Sequence, residues 1–210
     1  MDEKIAIIAL GANLGEREKT LTAALARLSE RGIVVRAVSP FYETVPVGFV
    51  AQPDFINAVA AVAVPAEMTP ENLLEVLMAT EREFGRERKF LNAPRTCDLD
   101  LIFFENETRN SPELTLPHPR WRERAFVLVP LADLFSRHHN ANDGGHHKGG
   151  NGGGNSACNG GGNGGHHKGE NFSWQQREIW SARAAEVCNL LRQTDVSGVK
   201  TLSGAKQKSM

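Results

Sequence analysis

The chain has 210 residues, a formal net charge of −1 and three cysteines, Cys97, Cys158 and Cys188. This length is enough for one domain with a hydrophobic core, and the near-neutral charge gives no general electrostatic reason to bind nucleic acid or an anionic membrane. An odd number of cysteines without a CxxC pair is not the pattern of a disulfide framework and is typical of a reducing compartment, so we expect a cytoplasmic protein.

The chain begins with the pattern of a strand, a helix and a second strand. The apolar run Ile5–Leu10 is too short to span a membrane and its acidic flank is unlike a signal peptide, so it predicts a buried strand ending at Gly11. Leu21, Leu28 and the alanines between them form the stripe of an amphipathic helix. The segment 32–45 (GIVVRAVSPFYETV) is rich in β-branched and aromatic residues and predicts the second strand.

After a loop rich in proline and glycine, a third strand is predicted over 55–64 (FINAVAAVAV). The next helix has clear end signals, because Thr69 is a suitable N-cap, Pro70 suits the first helical position and Gly85 suits the end. The segment 95–104 (RTCDLDLIFF) predicts the fourth strand.

The resulting order, β-α-β-β-α-β, predicts an α+β fold of the ferredoxin-like kind, with two helices on one face of an antiparallel sheet. A further helix is predicted from near Arg122 through AFVLVPLADLF, and a last one through SWQQREIWSARAAEVCNLLRQ. We therefore expect a core over 1–136, completed by a C-terminal helix and tail over 172–210.

Between these two parts lies a segment of different composition, 137–171, which holds thirteen of the twenty glycines and six of the seven histidines. It has almost no apolar side chains to offset the entropy of ordering, so we predict a disordered insertion in a surface loop. Its paired histidines could bind Ni²⁺, Zn²⁺ or Cu²⁺, and the alternative is a solvated linker without a metal.

Two acids, Asp98 and Asp100, interrupt the apolar fourth strand. Side chains at i and i+2 of a strand point to the same face, and two neighbouring carboxylates repel each other unless a cation lies between them. Hard oxygen ligands in small number favour Mg²⁺, which takes its other ligands from water and substrate phosphates. The alternative is a partly exposed edge strand with two ordinary solvated acids.

Basic residues flank the acid pair on both sides. Arginine and lysine side chains suit phosphate oxygens, so this pattern is what a complex of a metal with a polyphosphate requires. The alternatives are a solvated basic loop upstream and a structural histidine downstream. The upstream cluster contains Arg86, Arg88, Lys89 and Arg95, and the downstream one contains His118, Arg120, Arg122 and Arg124.

Several common nucleotide and hydrolase motifs are absent from the sequence. The stretch GANLGEREKT lacks the Gly-Lys-Ser/Thr of a P-loop, and GxGxxG, HExxH and GxSxG do not occur. A Walker-type kinase, a Rossmann dinucleotide site, a zincin and an α/β-hydrolase are therefore disfavoured.

Four stretches in order resemble the successive motifs of the 6-hydroxymethyl-7,8-dihydropterin pyrophosphokinase family of the folate pathway. They are LGANLG, FYETVPVGFVAQPDFINAV, GRERKFLNAPRTCDLDLIFF and LTLPHPRWRERAFVLVPL, with a weaker match in VSGVKTL. The resemblance covers roughly residues 4–134 and implies the same ferredoxin-like α+β fold. It implies transfer of a pyrophosphoryl group from ATP to the hydroxymethyl group of the pterin, with release of AMP, by a monomer that needs no nucleic acid or membrane.

The resemblance also implies roles for individual residues. Asp98 and Asp100 would bind two Mg²⁺ ions along the triphosphate of ATP. The pterin ring would lie between Phe55 and Phe126, for which the alternative is ordinary core packing, and its polar edge would meet Asn57, Thr44 and the backbone near Val47.

On the nucleotide side, Arg86, Arg88 and Arg95 would lie on a mobile basic loop and contact phosphates, and Arg86 and Arg95 would act in catalysis with the two acids. The backbone near Leu101 would meet adenine. The remaining residues implied on the ATP side are Thr115, His118 and Arg124.

This chain departs from the family pattern at three places. Asn92 and Ala93 stand where many members have Trp-Gly, Phe55 stands where some have tyrosine, and the insertion 137–171 has no counterpart. A rival hypothesis is a non-catalytic domain that binds ATP without transfer, since a fold does not fix a function. The acid pair argues against it, because a regulatory nucleotide site has little need of two metal-binding carboxylates.

Overall fold

The computed structural model describes residues 3–48, 51–85, 93–140 and 174–202. A six-stranded antiparallel sheet forms its centre. The sheet contains β1 (Glu3–Ala12), β2 (Val34–Val38), β3 (Tyr42–Thr44), β4 (Phe55–Pro65), β5 (Asp98–Phe104) and β8 (Val199–Thr201). Two further strands, β6 (Arg109–Asn110) and β7 (Thr115–Leu116), lie outside it. The helices are α1 (Arg17–Glu30), α2 (Pro70–Glu83), α3 (Ala125–Asn140) and α4 (Trp174–Leu191), and a 3₁₀ turn covers Trp121–Glu123.

The order of strands in the sheet confirms the predicted ferredoxin-like arrangement. The sheet runs β5-β1-β4-β3-β8, and β2 also pairs with β4. Strand β1 lies between β4 and β5, and the segments β1, α1, β2–β3, β4, α2 and β5 follow the predicted β-α-β-β-α-β order. Strands β6 and β7 form a separate small hairpin.

The predicted second strand is divided in two at Ser39 and Pro40. Both parts pair with β4, but a register shift lies within β2, and Pro40 has no N–H to donate to a neighbouring strand. Ser39 spans the break, because its N–H donates to the Val59 carbonyl at 2.9 Å and its Oγ accepts from the Val59 N–H at 3.0 Å. The two parts therefore stay aligned along β4.

The end signals predicted for the helix after the third strand are confirmed in α2. The Thr69 Oγ1 accepts a hydrogen bond from the Asn72 N–H, and Pro70 is the first helical residue. Gly85 follows the helix at φ 75°, a left-handed conformation that glycine adopts without strain.

Helices cover both faces of the sheet. On one face, α1 and α2 bury Leu21, Leu28, Leu73 and Leu77 against one side of β1 and β4. On the opposite face, α3 and α4 form a second apolar cluster with the 3₁₀ turn, whose fully buried members include Trp121, Leu128, Leu131 and Val187. The sheet is therefore the middle of three layers, and none of the described helices is long and apolar enough to cross a membrane.

The C-terminal part adds two elements after the insertion. The predicted last helix is present as α4, while β8 is an edge strand that the helix and strand patterns alone did not predict. Most of the predicted insertion, 141–171, lies outside the described residues, and α3 includes 137–140. Its expected disorder and the domain boundaries drawn from it stay predictions.

One end of the sheet is polar on the face that α3 and α4 cover elsewhere. Along that face, Asp100 is in register with Ala9, and Asp98 is in register with Gly11, which in turn pairs with Asn57. Because residues in register point to the same side, the apolar face becomes polar towards the start of β5.

Candidate active site

The two acids of β5 point to the same face of the sheet. At the start of β5, half-buried residues alternate with buried ones, and Asp98 and Asp100 are the half-buried ones. The Asp98 side chain is 17% exposed and that of Asp100 is 36% exposed. Both carboxylates thus lie on the same face at the polar end of the sheet, and Asp100 is the more accessible of the two.

Each acid is paired with an arginine, and each arginine lies over a phenylalanine ring. Arg95 donates to Asp98, and its guanidinium carbon lies 5.9 Å from the centre of the Phe55 ring. Arg124 Nη1 donates to Asp100 at 3.2 Å, and its guanidinium carbon lies 5.5 Å from the centre of the Phe126 ring. The structure therefore brings six of the predicted site residues into two similar acid–arginine–phenylalanine groups.

Asn57 and Thr44 form a buried polar pair beside these groups. The Asn57 Nδ2 donates to Thr44 Oγ1 at 2.6 Å, and both residues are almost fully buried. Gly11 lies between Asn57 and Asp98, and a Cβ at that position would be 2.9 Å from Asn57 Oδ1. The absence of a side chain at Gly11 lets Asn57, Asp98 and Phe55 approach one another.

Asn13 was not singled out from the sequence, although it lies in the LGANLG motif. Its Nδ2 donates to Gln52 Oε1 at 2.9 Å and to the Pro53 carbonyl at 3.1 Å, and its Oδ1 accepts from the Arg95 N–H at 2.7 Å. The Asn13 N–H also donates to the Arg95 carbonyl at 3.0 Å. One buried asparagine therefore fixes the backbone of Arg95 to the loop that precedes Phe55.

Glu81 is a second residue that the sequence reading missed. This helix carboxylate is 3% exposed, and its Oε1 accepts from the Leu99 N–H at 2.7 Å. Leu99 is the residue between the two acids, and β5 is an edge strand, so α2 supplies a partner that the sheet lacks there. The sequence signal was weak, because an acid within a helix is usually exposed.

His118 lies next to the pair formed by Asp100 and Arg124. Its backbone N–H donates to the Ile102 carbonyl at 3.0 Å, and its ring Nδ1 accepts from the backbone N–H of Arg120 at 3.2 Å. Burial lowers the pKa of the imidazole below its usual value, while Asp100 opposes and Arg124 adds to this shift. His118 is therefore a neutral ring at pH 7, with Nε2 as the nitrogen that can donate.

The three arginines of the downstream basic cluster, Arg120, Arg122 and Arg124, have different partners and do not face one site. Arg122 donates to Glu186 of α4 at 2.8 Å and lies over the Trp121 ring, so its contacts hold α4 against the 3₁₀ turn. Arg120 is an exposed side chain close to Glu123. Only Arg124 of the three faces the acid pair, a distinction that their regular spacing does not reveal.

The remaining predicted residues vary in position. Arg86, Arg88 and Lys89 lie outside the described residues, as does Asn92. The Leu101 side chain is in the core beside α1 and α2, so only its backbone could meet a ligand. Thr115 is half-buried in β7, and the Val47 side chain is 60% exposed in the loop after β3.

The described donor groups fit Mg²⁺ bound together with a phosphate ligand. Within the part of the chain that the structure describes, no three His, Cys, Asp or Glu side chains are grouped closely enough to hold a metal by themselves. Two half-buried carboxylates are the set that Mg²⁺ commonly uses when phosphates and water complete its coordination. The arrangement is unlike a structural zinc site, which needs four protein ligands.

Comparison with known protein families gives a match over most of this core. Residues 7–136 match the model of the family described as 7,8-dihydro-6-hydroxymethylpterin-pyrophosphokinase (HPPK). The match begins in β1, includes both acid–arginine–phenylalanine groups and ends in α3.

Individual proteins show the same similarity. A 2-amino-4-hydroxy-6-hydroxymethyldihydropteridine pyrophosphokinase of Bacillus subtilis is 45% identical over 131 residues, which are 62% of this chain and 77% of that protein. A protein of the same name from Pseudomonas aeruginosa is 45% identical, over 60% of this chain and 78% of its own length. The mitochondrial folate synthesis bifunctional protein of Arabidopsis thaliana is 42% identical over 61% of this chain, which spans only 23% of that longer protein.

Among solved structures, an HPPK-DHPS in complex with substrates aligns with a TM-score of 0.48 and 14% identity, covering 63% of this chain and 40% of that one. A Plasmodium falciparum HPPK-DHPS aligns with the same TM-score and 16% identity, again over 63% of this chain and 40% of the other.

Proposed function

This chain belongs to the 7,8-dihydro-6-hydroxymethylpterin-pyrophosphokinase family, and we propose that it performs that family's reaction at the polar end of the sheet. It is an ATP-dependent pyrophosphokinase of folate biosynthesis, which transfers pyrophosphate from ATP to 6-hydroxymethyl-7,8-dihydropterin and releases AMP. The single observation that carries the placement of the site is the pair of same-face acids, each next to an arginine.

Asp98 and Asp100, half-buried on one face of β5, would hold the two Mg²⁺ ions that we propose to bind with ATP. The ions supply positive charge to the phosphate oxygens and so stabilise the charge that develops during transfer. The two carboxylates are oriented for this role before ATP binds, because both belong to one strand whose backbone is fixed by β1 on one side and by Glu81 on the other.

Arg95 and Arg124 exchange partners when the metal-bound triphosphate binds. Neither pair is fully buried, and bound Mg²⁺ would supply the positive charge that each arginine gives its carboxylate before ATP binds. Each guanidinium can then donate to phosphate oxygens, for which its planar fork is well suited. The arginines thus neutralise the acids before ATP binds and the phosphates afterwards.

The pterin ring lies between Phe55 and Phe126, beside the buried pair formed by Asn57 and Thr44. Two aromatic faces provide stacking, and the amide and hydroxyl provide hydrogen bonds to the polar edge of the ring, together with the backbone near Val47. This position brings the hydroxymethyl group towards Asp98, because Gly11 leaves no side chain between Asn57 and Asp98.

The remaining residues act on the nucleotide. Thr115, His118 and Arg124 contact ATP, and the backbone near Leu101 meets the adenine. Because the imidazole of His118 is neutral at pH 7, it contributes a hydrogen-bond donor and no charge. Arg86 and Arg88 lie outside the described residues, and their proposed role in contacting the phosphates rests on the family resemblance.

Transfer itself requires positioning and neutralisation of charge. The hydroxymethyl oxygen attacks the β-phosphorus and gives up its proton to Asp98. The bond from this phosphorus to the oxygen it shares with the α-phosphorus breaks, and AMP leaves with the electron pair of that bond. Asp98 orients the attacking hydroxyl, since it is the acid in register with Gly11 and Asn57 on the pterin side.

The test is an assay with ATP, Mg²⁺ and 6-hydroxymethyl-7,8-dihydropterin, in which the nucleotide product is identified. We expect AMP, and we expect Asp98→Ala and Asp100→Ala to lower the rate at least about 100-fold while the protein remains folded. Formation of ADP would contradict the reaction, and binding of ATP without turnover would favour a non-catalytic module. A near-normal rate in either variant would contradict the metal role of the acids.

We also propose that the protein acts as a cytoplasmic monomer. The family resemblance supports a monomer, and the three cysteines without paired spacing support a reducing compartment. Light scattering at the concentration of the assay tests the oligomeric state.

A further inference from the structure

We propose that β8, in the C-terminal segment beyond the family match, is part of the pterin site because it fixes β3 and the loop that follows it. The match ends at residue 136, whereas β8 covers Val199–Thr201. This inference rests on the proposed function, in which Thr44 and the backbone near Val47 meet the pterin. It assigns a positioning role in substrate binding to a segment with no other role in the site.

Strand β3 needs support because it is only 3 residues long. Its pairing with β4 includes Thr44 opposite Phe55, so the end of this short strand carries a proposed pterin contact. Short strands at the edge of a sheet fray readily, since one row of their N–H and C=O groups has no neighbouring strand. An edge at β3 would leave Thr44 poorly fixed.

The C-terminal strand removes this edge. All of β3 pairs with β8, from Tyr42 opposite Thr201 to Thr44 opposite Val199. Hydrogen bonds extend the pairing at both ends, from the Leu202 N–H to the Phe41 carbonyl at 3.1 Å and from the Val45 N–H to the Gly198 carbonyl at 3.3 Å.

The Val45 side chain also packs against the backbone of Gly198. A Cβ at Gly198 would lie 2.9 Å from Val45 Cγ2, so the turn before β8 packs directly on the first residue of the loop. The Val45 and Val47 side chains are otherwise largely exposed, at 55% and 60%, so we infer that the contacts of Val45 with Gly198 help to fix the start of this loop.

The C-terminal helix holds β8 in place. Val187 of α4 is fully buried in the cluster under α3, and Glu186 pairs with Arg122. A turn connects α4 to β8, in which the Ser197 N–H donates to Asp195 Oδ1 at 2.9 Å and the Val199 N–H donates to the Val196 carbonyl at 3.0 Å. Docking of α4 therefore places β8 beside β3 independently of the conformation of the insertion.

A proline scan of β8 tests the role of the strand. The bonds at Gly198 and Leu202 show that alternate residues face β3, so the N–H of Lys200 points to β3 and that of Thr201 points away. Lys200→Pro removes a donor from the pairing, whereas Thr201→Pro places the same ring where an edge strand tolerates it. Lys200→Ala controls for the lost charge, and both side chains are exposed.

The measurements are the dissociation constants of 6-hydroxymethylpterin and of an unreactive ATP analogue with Mg²⁺, together with a thermal melt. We expect Lys200→Pro to weaken pterin binding by about tenfold or more and to change the analogue's affinity less than about twofold. We expect both control variants to match the wild-type protein. Equal pterin affinity in all four proteins, or an equal loss for both ligands in Lys200→Pro, would overturn the inference.

Gly198→Ala provides a second route if Lys200→Pro does not fold. Its methyl group would push Val45 and the loop away without removing a hydrogen bond, and we expect the same selective loss of pterin affinity. An unchanged pterin affinity in folded Gly198→Ala would overturn the inference in that case. Failure of the proposed function is distinguishable, because the wild-type protein would then not bind the pterin at all.

Discussion

At the scale of single residues, the site combines groups that would be unfavourable one at a time. Two neighbouring carboxylates repel each other, and a partly buried arginine also loses hydration. Placed together, as Asp98 with Arg95 and Asp100 with Arg124, they compensate each other's charge. Neither pair is fully buried, so we expect each arginine to exchange its carboxylate for phosphate when ATP and Mg²⁺ bind.

Glu81 acts on these acids through the backbone. Its hydrogen bond to Leu99 fixes the peptide between Asp98 and Asp100, so we predict that Glu81→Leu lowers the rate by about 10- to 100-fold, because a small displacement of the acids is enough to impair catalysis. The rate should be measured as a function of Mg²⁺ concentration, together with the Mg²⁺-dependent affinity for an unreactive ATP analogue.

The control for Glu81 is Glu83→Leu, which changes the same residue type two positions along α2 at an exposed position that pairs with Arg27 and Arg31. Glu81→Gln retains an acceptor and should recover most of the activity. If Glu81→Leu lost stability but kept the Mg²⁺ dependence of the wild-type protein, Glu81 would have only a structural role.

Gly11 determines how closely Asn57 and Asp98 approach, which are the proposed pterin and metal sides of the site. A methyl group there would lie 2.9 Å from Asn57 Oδ1, and Asn57 cannot move without losing its bond to Thr44. We predict that Gly11→Ala weakens pterin binding by about tenfold or more and lowers the free energy of unfolding by about 1–3 kcal/mol.

A double-mutant cycle with Asn57→Ala separates this effect from a general loss of stability. If the clash with Asn57 is the cause, Gly11→Ala should cost little further pterin affinity once Asn57 is already alanine. Additive losses in the double variant would show that Gly11 acts through another contact.

At the scale of elements, the break between β2 and β3 depends on one serine. Ser39 is fully buried, and its Oγ is the partner of the Val59 N–H. We predict that Ser39→Ala lowers the free energy of unfolding by about 1–3 kcal/mol, because it leaves a buried N–H of the central strand β4 without an acceptor. Urea denaturation measures this loss.

Ser29→Ala is the matched control for Ser39, since Ser29 is exposed in α1 and its hydroxyl donates to the Leu25 carbonyl one turn before it. An equal effect of the two substitutions would show that the Ser39 hydroxyl does not stabilise the break.

Elements with strong local signals were predictable from the sequence, and those fixed by distant contacts were not. The N-cap at Thr69 and the left-handed Gly85 are local, so α2 could be placed closely. The short strand β8 has only three residues and forms by pairing with β3, more than 150 residues away in sequence, which no local pattern encodes.

At the scale of the whole molecule, three layers leave one end of one sheet face uncovered, and the proposed site lies there. The acid pair and its flanking arginines were visible in the sequence because strand periodicity places i and i+2 on one face. The roles of Asn13 and Glu81 were not, since each contacts a partner that only the folded chain brings near. The role of Arg122 was not visible either, because Arg122 and Arg124 belong to one regularly spaced series after His118, but the partner of Arg122 is on α4.

The core and the C-terminal segment meet through contacts that do not involve the insertion. Strand β8 pairs with β3, Val187 is buried beneath α3, and Arg122 pairs with Glu186. We therefore predict that replacing 141–173 by a flexible Gly/Ser linker leaves the rate and both substrate affinities within about twofold of those of the full chain, since loop length has a small effect on stability when the ends are docked. The assay for AMP and a thermal melt measure this directly.

The same pair of proteins tests whether the histidines of the insertion bind a metal. The replacement removes four of the seven histidines, His146, His147, His166 and His167, and keeps His118, His138 and His139. A solvated linker predicts equal Zn²⁺ affinity in both proteins, and a metal-binding insertion predicts that the high-affinity Zn²⁺ titration is lost with the segment. A large fall in pterin affinity on replacement would instead contradict the independent docking of α4 and β8, because it would show that the insertion is needed to hold β8 beside β3.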